Sequence, residues 1–167
     1  MKLRFCGAAR SVTGSCHMLS ANGKKILIDC GMRQGADKKT EFGEDKFPFS
    51  PAEIDTVLLT HAHIDHAGLI PLLVKQGFTG NVIATEATTQ LSSIMLPDSG
   101  HIQEQEAEYQ TRKNLRAGKA PAEPLYTVQD AQNALKQFVS TSYGKIVTIA
   151  PGITARFNDI GHLLGSA

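Results

Sequence analysis

The sequence predicts a single mixed α/β domain, and three observations support this fold class. The chain has 167 residues, the size of one domain with a substantial core; 41% of them are hydrophobic and 20% are charged. Its opening third alternates short apolar runs with glycine turns, and residues 56–84 read as a β-loop-α-β unit. Such a unit implies parallel strands with a helix packed on a sheet face.

The opening third predicts three strands, at residues 2–7, 16–19 and 24–31. The Asn22-Gly23 pair between the last two is a typical hairpin turn. Residues 31–51 are polar and irregular, so we expect a long loop there. Three aromatic side chains are its expected anchors: Phe42, Phe47 and Phe49.

The rest of the chain predicts alternating strands and helices. A buried strand at 56–60 is followed by a short helix at 67–77 that ends at Gly77, and by a second strand at 81–85. Helical stretches follow at 85–96, 97–118 and 127–138, and a hairpin is predicted at 145–157, across Pro151-Gly152.

The two helices with an apolar pattern allow a prediction of their buried faces. The first is expected to bury Leu91, Ile94 and Met95. The second begins with a capping-box pattern at Thr127 and Asp130. Its expected apolar stripe consists of Val128, Ala131, Leu135 and Phe138.

Composition narrows the classes of partner. The net charge of +1 shows no basic excess of the kind that marks many nucleic-acid-binding proteins, so such a partner must be argued from the site. No run approaches the roughly 18 apolar residues of a membrane span, and the N-terminus lacks the apolar region of a signal peptide. Cys6, Cys16 and Cys30 are odd in number and lack CxxC spacing. We therefore expect free thiols, a cytoplasmic location and no membrane contact.

The stretch "THAHIDHAG" (60–68) concentrates metal-binding chemistry. It holds His61, His63 and His66 of the chain's six histidines, together with Asp65, just after an apolar strand. A single histidine beside a strand is usually hydrogen-bonded and structural. Imidazole nitrogen and carboxylate oxygen in HxHxDH order instead indicate divalent ions, zinc above all, although manganese and iron accept the same donors.

Other polar residues allow a structural interpretation as well as a functional one. His162, in "GHLLGSA", would be unremarkable alone, but its place after a strand and between Gly161 and Gly165 favours a metal ligand. Arg10 and Ser15, in "GAARSVTGSCH", are candidates for contact with a substrate phosphate, and a structural turn explains them equally well. For His17 strand packing is the better interpretation. Asp98 and Ser99 suit either the neighbourhood of the site or helix capping.

These motifs together resemble a known family. "THAHIDHAG" resembles the signature of the metallo-β-lactamase fold. "CGAARSVTGSCH", "ILIDCGMRQG", "LPDSGHIQEQEAEYQTRK", "EPLYTVQDAQNALKQF" and "GHLLGSA" are similar to its β-CASP branch of nucleic-acid-processing nucleases. The resemblance covers essentially the whole chain. It implies an αββα sandwich of which this chain holds the N-terminal part, and an RNA-processing nuclease activity, with single-stranded DNA as another substrate.

The resemblance also implies roles for single residues. A first zinc ion would bind His61, His63 and His162, and a second would bind Asp65 and His66. Asp29 would orient the histidines. Asp29 and Asp65 would be the two catalytic carboxylates. A hydroxide bridging the two ions would be the nucleophile.

The family pattern also continues beyond what this chain contains. A bridging aspartate, an inserted domain and a further histidine would follow His162, whereas only five residues follow it here. We therefore expect weak binding of the second ion, little nuclease activity from this chain alone, and self-association, for example as a homodimer, through an uncovered sheet face. The alternatives are a thioester or lactam hydrolase of the same fold and a catalytically dead binding module.

Overall fold

The computed structural model describes residues 1–35 and 46–167, and confirms the mixed α/β class. The predicted anchor Phe42 lies outside these residues. The elements in chain order are β1 Lys2–Phe5, β2 His17–Ala21, β3 Lys24–Ile28, a 3₁₀ turn Pro51–Glu53, β4 Thr56–Leu58, α1 Ile64–Ala67, α2 Ile70–Lys75, β5 Asn81–Thr85, α3 Glu86–Arg116, α4 Val128–Leu135, β6 Phe138–Thr141, β7 Ile146–Ala150 and β8 Ile153–Arg156. Among the described helices, none is long and apolar enough to cross a bilayer.

Strands β1 to β6 form one sheet in chain order, antiparallel from β1 to β3 and parallel from β3 to β6. The predicted hairpin between β2 and β3 is confirmed, and Asn22 and Gly23 have φ values of 48° and 75°. Positive φ at both central residues is what a two-residue hairpin turn requires. The parallel β4–α–β5 unit is confirmed as well, with its helical part divided between α1 and α2.

One strand was not predicted. The sequence places Phe138 at the end of a helical stripe, but α4 ends at Leu135 and Phe138 begins β6, parallel to β5. Phe138 still packs on the main core, now from a strand. A four-residue strand that follows a helix so closely shows too few alternating apolar and polar residues to be distinguished from the helical pattern.

The main hydrophobic core lies on one face of the sheet. Leu27, Val57 and Val82 point into it from three neighbouring strands and meet buried apolar residues of α2, such as Leu72 and Leu73. Because side chains alternate along a strand, the residues between them point to the opposite face.

That opposite face is partly open. Leu3, Phe5 and Val139 are 50%, 62% and 44% exposed there. A second sheet of the described chain, β7 paired with β8 as predicted, is linked to the first through Asn22, which donates to the carbonyl of Pro151 over 3.2 Å. Self-association through the open face stays a prediction.

Helix α3 differs from the prediction in its length and in its buried face. The two predicted stretches form one 31-residue helix that runs through Pro97, so Asp98 and Ser99 do not cap a helix. Ile94 is 68% exposed, so the predicted apolar face is wrong. The helix instead buries a row of small and polar residues around one leucine: Thr88, Ser92, Leu96, Ser99 and Gly100.

Close packing against α4 and the residues before it explains why Ser99 and Gly100 are buried. A Cβ atom on Gly100 would lie 2.9 Å from the backbone nitrogen of Val128, so any larger residue would push the helices apart. On the same face Ser99 accepts a 2.8 Å hydrogen bond from the hydroxyl of the fully buried Tyr126. Burial raises the pKa of Tyr126 to about 12. Small side chains therefore decide the face, which a search for apolar periodicity does not detect.

The predicted capping box of α4 is present. Thr127 accepts from the backbone N–H of Asp130 over 3.1 Å, and the Asp130 carboxylate accepts from the backbone N–H of Thr127 over 2.9 Å. The box fixes the start of a helix that packs on both α2 and α3.

Replacing Thr127 with alanine should lower the free energy of unfolding by about 1 kcal/mol, because the first turn of α4 loses a capping acceptor. Urea denaturation followed by circular dichroism measures the change. Gln129→Ala is the matched control, since Gln129 is exposed on the same helix and outside the box. Equal losses in both variants would show that the box contributes nothing specific.

Candidate metal centre

The candidate site lies at the edge of the sheet where the parallel strands end. Asp29 directly follows β3, His61 and His63 follow β4, and Thr85 closes β5. The carboxyl ends of parallel strands meet at one sheet edge, which is where ligands bind in many α/β proteins. His63 directly precedes α1, and Asp65 and His66 lie within this helix. The start of α1 therefore places these three side chains at the same edge of the sheet.

Asp29 is the hub of the site. It is 2% exposed, and four donors converge on its carboxylate. They are the Thr60 backbone N–H (2.9 Å), the Thr60 hydroxyl (3.1 Å), the Ser15 hydroxyl (3.0 Å) and His66 Nδ1 (2.7 Å). The backbone at Asp29 has φ of 60°, a conformation that is strained for a residue other than glycine and that the surrounding contacts must maintain.

Backbone hydrogen bonds hold the segments before β2 and after β3 against α1. Cys30 donates to the carbonyl of His66 over 2.8 Å, and Ser15 donates to that of Asp65 over the same distance. Gly31 makes this approach sterically feasible, because a Cβ atom there would overlap the carbonyl oxygen of Asp65. The "DCG" sequence therefore holds α1, and with it His66, against the end of the sheet.

Hydrogen bonding fixes which ring nitrogens of His61 and His66 are free. A carboxylate only accepts, so the neutral His66 ring carries its proton on Nδ1 and has its lone pair on Nε2. The Thr60 hydroxyl gives its single proton to Asp29, so at 2.9 Å it accepts from His61 Nδ1, which frees His61 Nε2. Asp29 thus orients His66 directly and His61 through Thr60, an arrangement common behind metal-binding histidines.

Three histidines converge on one point. His61 Nε2 lies 3.1 Å from His63 Nδ1, and His162 Nε2 lies 3.3 Å from the same atom. One nitrogen from each ring fits within a 4.8 Å group. Burial, aided by the neighbouring His66 and then by His63 and His162, lowers the pKa of His61 to about 4, so this ring is neutral at pH 7. Three imidazole nitrogens at such distances suit a divalent metal ion.

Asp65 and His66 form a second pair of donors beside the first group. His66 Nε2 lies 3.7 Å from Asp65 Oδ2, and the His61 and His66 ring centroids are 4.0 Å apart. Burial acts to lower the pKa of His66, but the hydrogen bond to Asp29 and the charges of Asp29 and Asp65 outweigh it and raise the pKa. The structure therefore brings His61, His63 and His162 together and places Asp65 and His66 beside them, while the role of all five as ligands stays a prediction.

The two predicted substrate contacts occupy different environments. Ser15 is buried beneath the histidines, where its hydroxyl serves Asp29. Arg10 is exposed in the loop between β1 and β2, with φ of 64°. Contact of either residue with a substrate stays a prediction. The interpretation of His17 as a packed strand residue is confirmed, since its ring meets Phe5 edge-on at 5.3 Å.

Sequence reasoning missed two residues that build the site. Thr60 links Asp29 to His61, and the hydroxyl of Ser166 accepts from the backbone N–H groups of His162 and Leu163, over 3.1 Å each. Their positions in the sequence could have identified them: Thr60 directly precedes His61, and Ser166 lies four residues after His162.

Comparison with known families agrees with this geometry. Residues 10–130 match the model of the metallo-β-lactamase superfamily, which is most of the chain. The chain belongs to the metallo-β-lactamase superfamily.

Two relatives of this superfamily member are similar over the whole chain. The ribonuclease TTHA0252 of Thermus thermophilus is 38% identical over 167 residues, and the transcription termination factor FttA of Methanococcus maripaludis is 33% identical over 168. The match covers 100% of this chain in both cases, but only 34% and 24% of those proteins. The chain thus spans about a third and about a quarter of their lengths. The predicted resemblance to a nuclease branch is confirmed at this level.

Solved structures of the superfamily show the same fold. A metallo-β-lactamase of Cronobacter sakazakii aligns with a TM-score of 0.50 and 20% identity over 93% of this chain and 47% of its own. The archaeal superfamily protein ST1585 of Sulfolobus tokodaii gives 0.50 and 17% over 92% and 53%. The metallo-β-lactamase fold and the histidine cluster together indicate that the chain binds metal.

Replacing Asp29 with alanine should weaken zinc binding about 10- to 100-fold, because the rings of His61 and His66 lose the acceptor that orients them. Isothermal titration calorimetry measures the affinity. Asp55→Ala is the matched control. Asp55 is also a carboxylate at a strand end, bound by Lys24 Nζ at 2.6 Å and by the Lys25 N–H at 2.8 Å, but it precedes β4 and so lies at the opposite edge of the sheet. Equal weakening in both variants would indicate a general loss of structure.

Proposed function

We propose that this chain forms the zinc-binding part of a metal-dependent hydrolase that processes RNA. The observation that carries the proposal is the convergence of His61, His63 and His162, with the orientation of His61 fixed through Thr60 and Asp29. The names of the two relatives, a ribonuclease and a transcription termination factor, support RNA as the substrate. A cytoplasmic location is part of this proposal.

The donor set fits zinc. Three imidazole nitrogens would hold a first ion and leave one position of a tetrahedron open. Asp65 and His66 would hold a second ion beside it. When bound, such ions act as Lewis acids and lower the pKa of a water molecule to about 7, which provides a nucleophile for phosphodiester hydrolysis at neutral pH.

The protein's own groups supply orientation and proton placement. Asp29 keeps protons on Nδ1 of His66 and, through Thr60, on Nδ1 of His61, so that the opposite nitrogens stay free. The buried carboxylate also places negative charge behind the histidines, which raises their basicity toward a metal. Arg10, exposed in the β1–β2 loop, is the proposed contact for a substrate phosphate. Contact with Ser15, the second predicted residue, would require its buried hydroxyl to give up its hydrogen bond to Asp29.

One observation favours a binding role for the chain taken by itself. The second group offers only Asp65 and His66 among the described residues, so a second ion would have two protein ligands. Two ligands leave most of the coordination sphere to solvent, and a weakly held ion stabilises charge poorly. We therefore propose that this chain alone binds one ion tightly and has little nuclease activity.

Zinc titration of the chain should give one tight site and one weak site. The first has three preoriented imidazoles and the second has two donors. Calorimetry with the metal-free protein measures both affinities and the stoichiometry, and His162→Ala should remove the tight site while leaving the fold intact by circular dichroism. Two tight sites would contradict the proposed ligand count.

RNA hydrolysis is tested by placing this chain in the position of the matching segment of the Thermus thermophilus ribonuclease. The chimera should cleave labelled RNA, a chelator should stop cleavage, and the chain alone should give little or none. The control is the same chimera with His61→Ala and His63→Ala. Cleavage of a thioester or a β-lactam in place of RNA would favour the other class of hydrolase. A zinc-loaded chimera that binds RNA without cleaving it would favour a binding module.

A further inference from the structure

The contacts of the His162 side chain do not explain why this residue lies at the site. His61 and His66 are braced from behind by Thr60 and Asp29. The ring of His162 is exposed and contacts the rings of His61 and His63. Contacts among candidate ligands do not bring a residue 99 positions away to the site. The backbone of its loop must therefore place it.

The loop 161–167 is tied down behind His162. The hydroxyl of Ser166, which is fully buried, accepts the backbone N–H groups of His162 and Leu163 and so closes a tight turn. Ala167 donates to the carbonyl of Thr60 over 3.0 Å, which joins this turn to the strand end that carries His61. These bonds set the shape of the turn and tie its last residue to the segment after β4, and the Tyr143 hydroxyl donates to the carbonyl of Ser166 over 3.0 Å. A further contact, at Gly165, holds the turn nearer to His162.

That contact is made by the first turn of α3. The hydroxyls of Thr85 and Thr88 both donate to the carbonyl oxygen of Gly165, over 2.6 Å and 2.9 Å. The two threonines are 3% and 0% exposed, and Gly165 is buried as well. Two donors on one buried carbonyl, shielded from water, hold the loop far more firmly than an exposed hydrogen bond would.

Steric fit confirms how close the approach is. Gly165 has φ of 87°, and a Cβ atom on it would lie 2.6 Å from the backbone nitrogen of Thr88 and 2.8 Å from the Thr85 hydroxyl oxygen. Only glycine combines this backbone conformation with this distance. The helix and the loop are therefore fitted to each other three residues from the candidate ligand.

We propose that Thr85 and Thr88 are positioning residues that hold His162 at the metal centre through the carbonyl of Gly165. This inference rests on the proposed function in one respect, namely that His162 is a ligand. Thr85 also caps α3, since it accepts from the N–H of Thr88 over 3.3 Å, so its loss has an ordinary structural effect. The cap uses the backbone N–H of Thr88, which a substitution of its side chain keeps, while the Thr88 hydroxyl lies 3.0 Å from that of Thr85. Thr88 therefore separates positioning from capping better than Thr85 does.

The test uses cobalt(II) and zinc(II) binding to the 167-residue chain. Thr88→Val keeps the shape of the side chain and removes the hydroxyl. It should weaken binding about tenfold or more, within the range typical for residues that orient ligands. It should also shift the visible absorption of the cobalt protein toward that of His162→Ala. Thr88→Ser should restore both values. Thr89→Val is the control, because Thr89 donates only to the carbonyl of Thr85 within the helix.

The outcomes are distinguishable. A folded Thr88→Val protein with the affinity and spectrum of the unchanged chain, alongside an altered His162→Ala, overturns the positioning role and leaves the proposed function standing. An unaltered His162→Ala protein overturns both, because His162 is then not a ligand. If Thr88→Val does not fold, Gly165→Ala tests the same contact from the loop side. It should give the spectrum of His162→Ala with α3 intact, and an unchanged spectrum overturns the proposal.

Discussion

The buried carboxylate of Asp29 is the interaction on which the rest of the site depends. A carboxylate that is 2% exposed is costly to bury unless hydrogen bonds replace its water, and here four donors do so. The donors come from three segments that are distant in sequence: the loop before β2, the end of β4 and helix α1. Each segment is held in place by its hydrogen bond to this carboxylate. The hydrogen bonds that stabilise the buried charge therefore also set the shape of the site.

The sheet supplies the frame for this network. Parallel strands β3, β4 and β5 end at one edge, where the chain leaves each strand with backbone groups that no longer pair within the sheet. Asp29, the histidine motif and Thr85 occupy these three strand ends in order. Because main-chain pairing brings the strand ends together, a few polar residues at this edge are sufficient to build a centre.

The sequence was most informative where chemistry and local order coincide. The HxHxDH spacing and the capping box at Thr127 could be read directly, because all their partners lie within a few residues. The buried face of α3 could not, because Thr88, Ser99 and Gly100 are buried for close approach, and apolar periodicity does not measure that. Thr60 escaped notice for a related reason: its role depends on Asp29, 31 residues away, which only the folded chain brings into contact.

The histidines are braced unequally, and this has a consequence for how the centre assembles. His61 and His66 are oriented by hydrogen bonds to their back nitrogens, so their geometry exists before any ion arrives. His63 and His162 are exposed and depend on backbone placement alone, from the N-terminus of α1 and from the loop fitted against α3. Binding of an ion by His61, His63 and His162 would therefore order two side chains rather than three, and the entropy saved on His61 favours binding. In such a centre one carboxylate preorganises His61 and His66, whereas the placement of His162 depends on the packing of its loop against the start of α3.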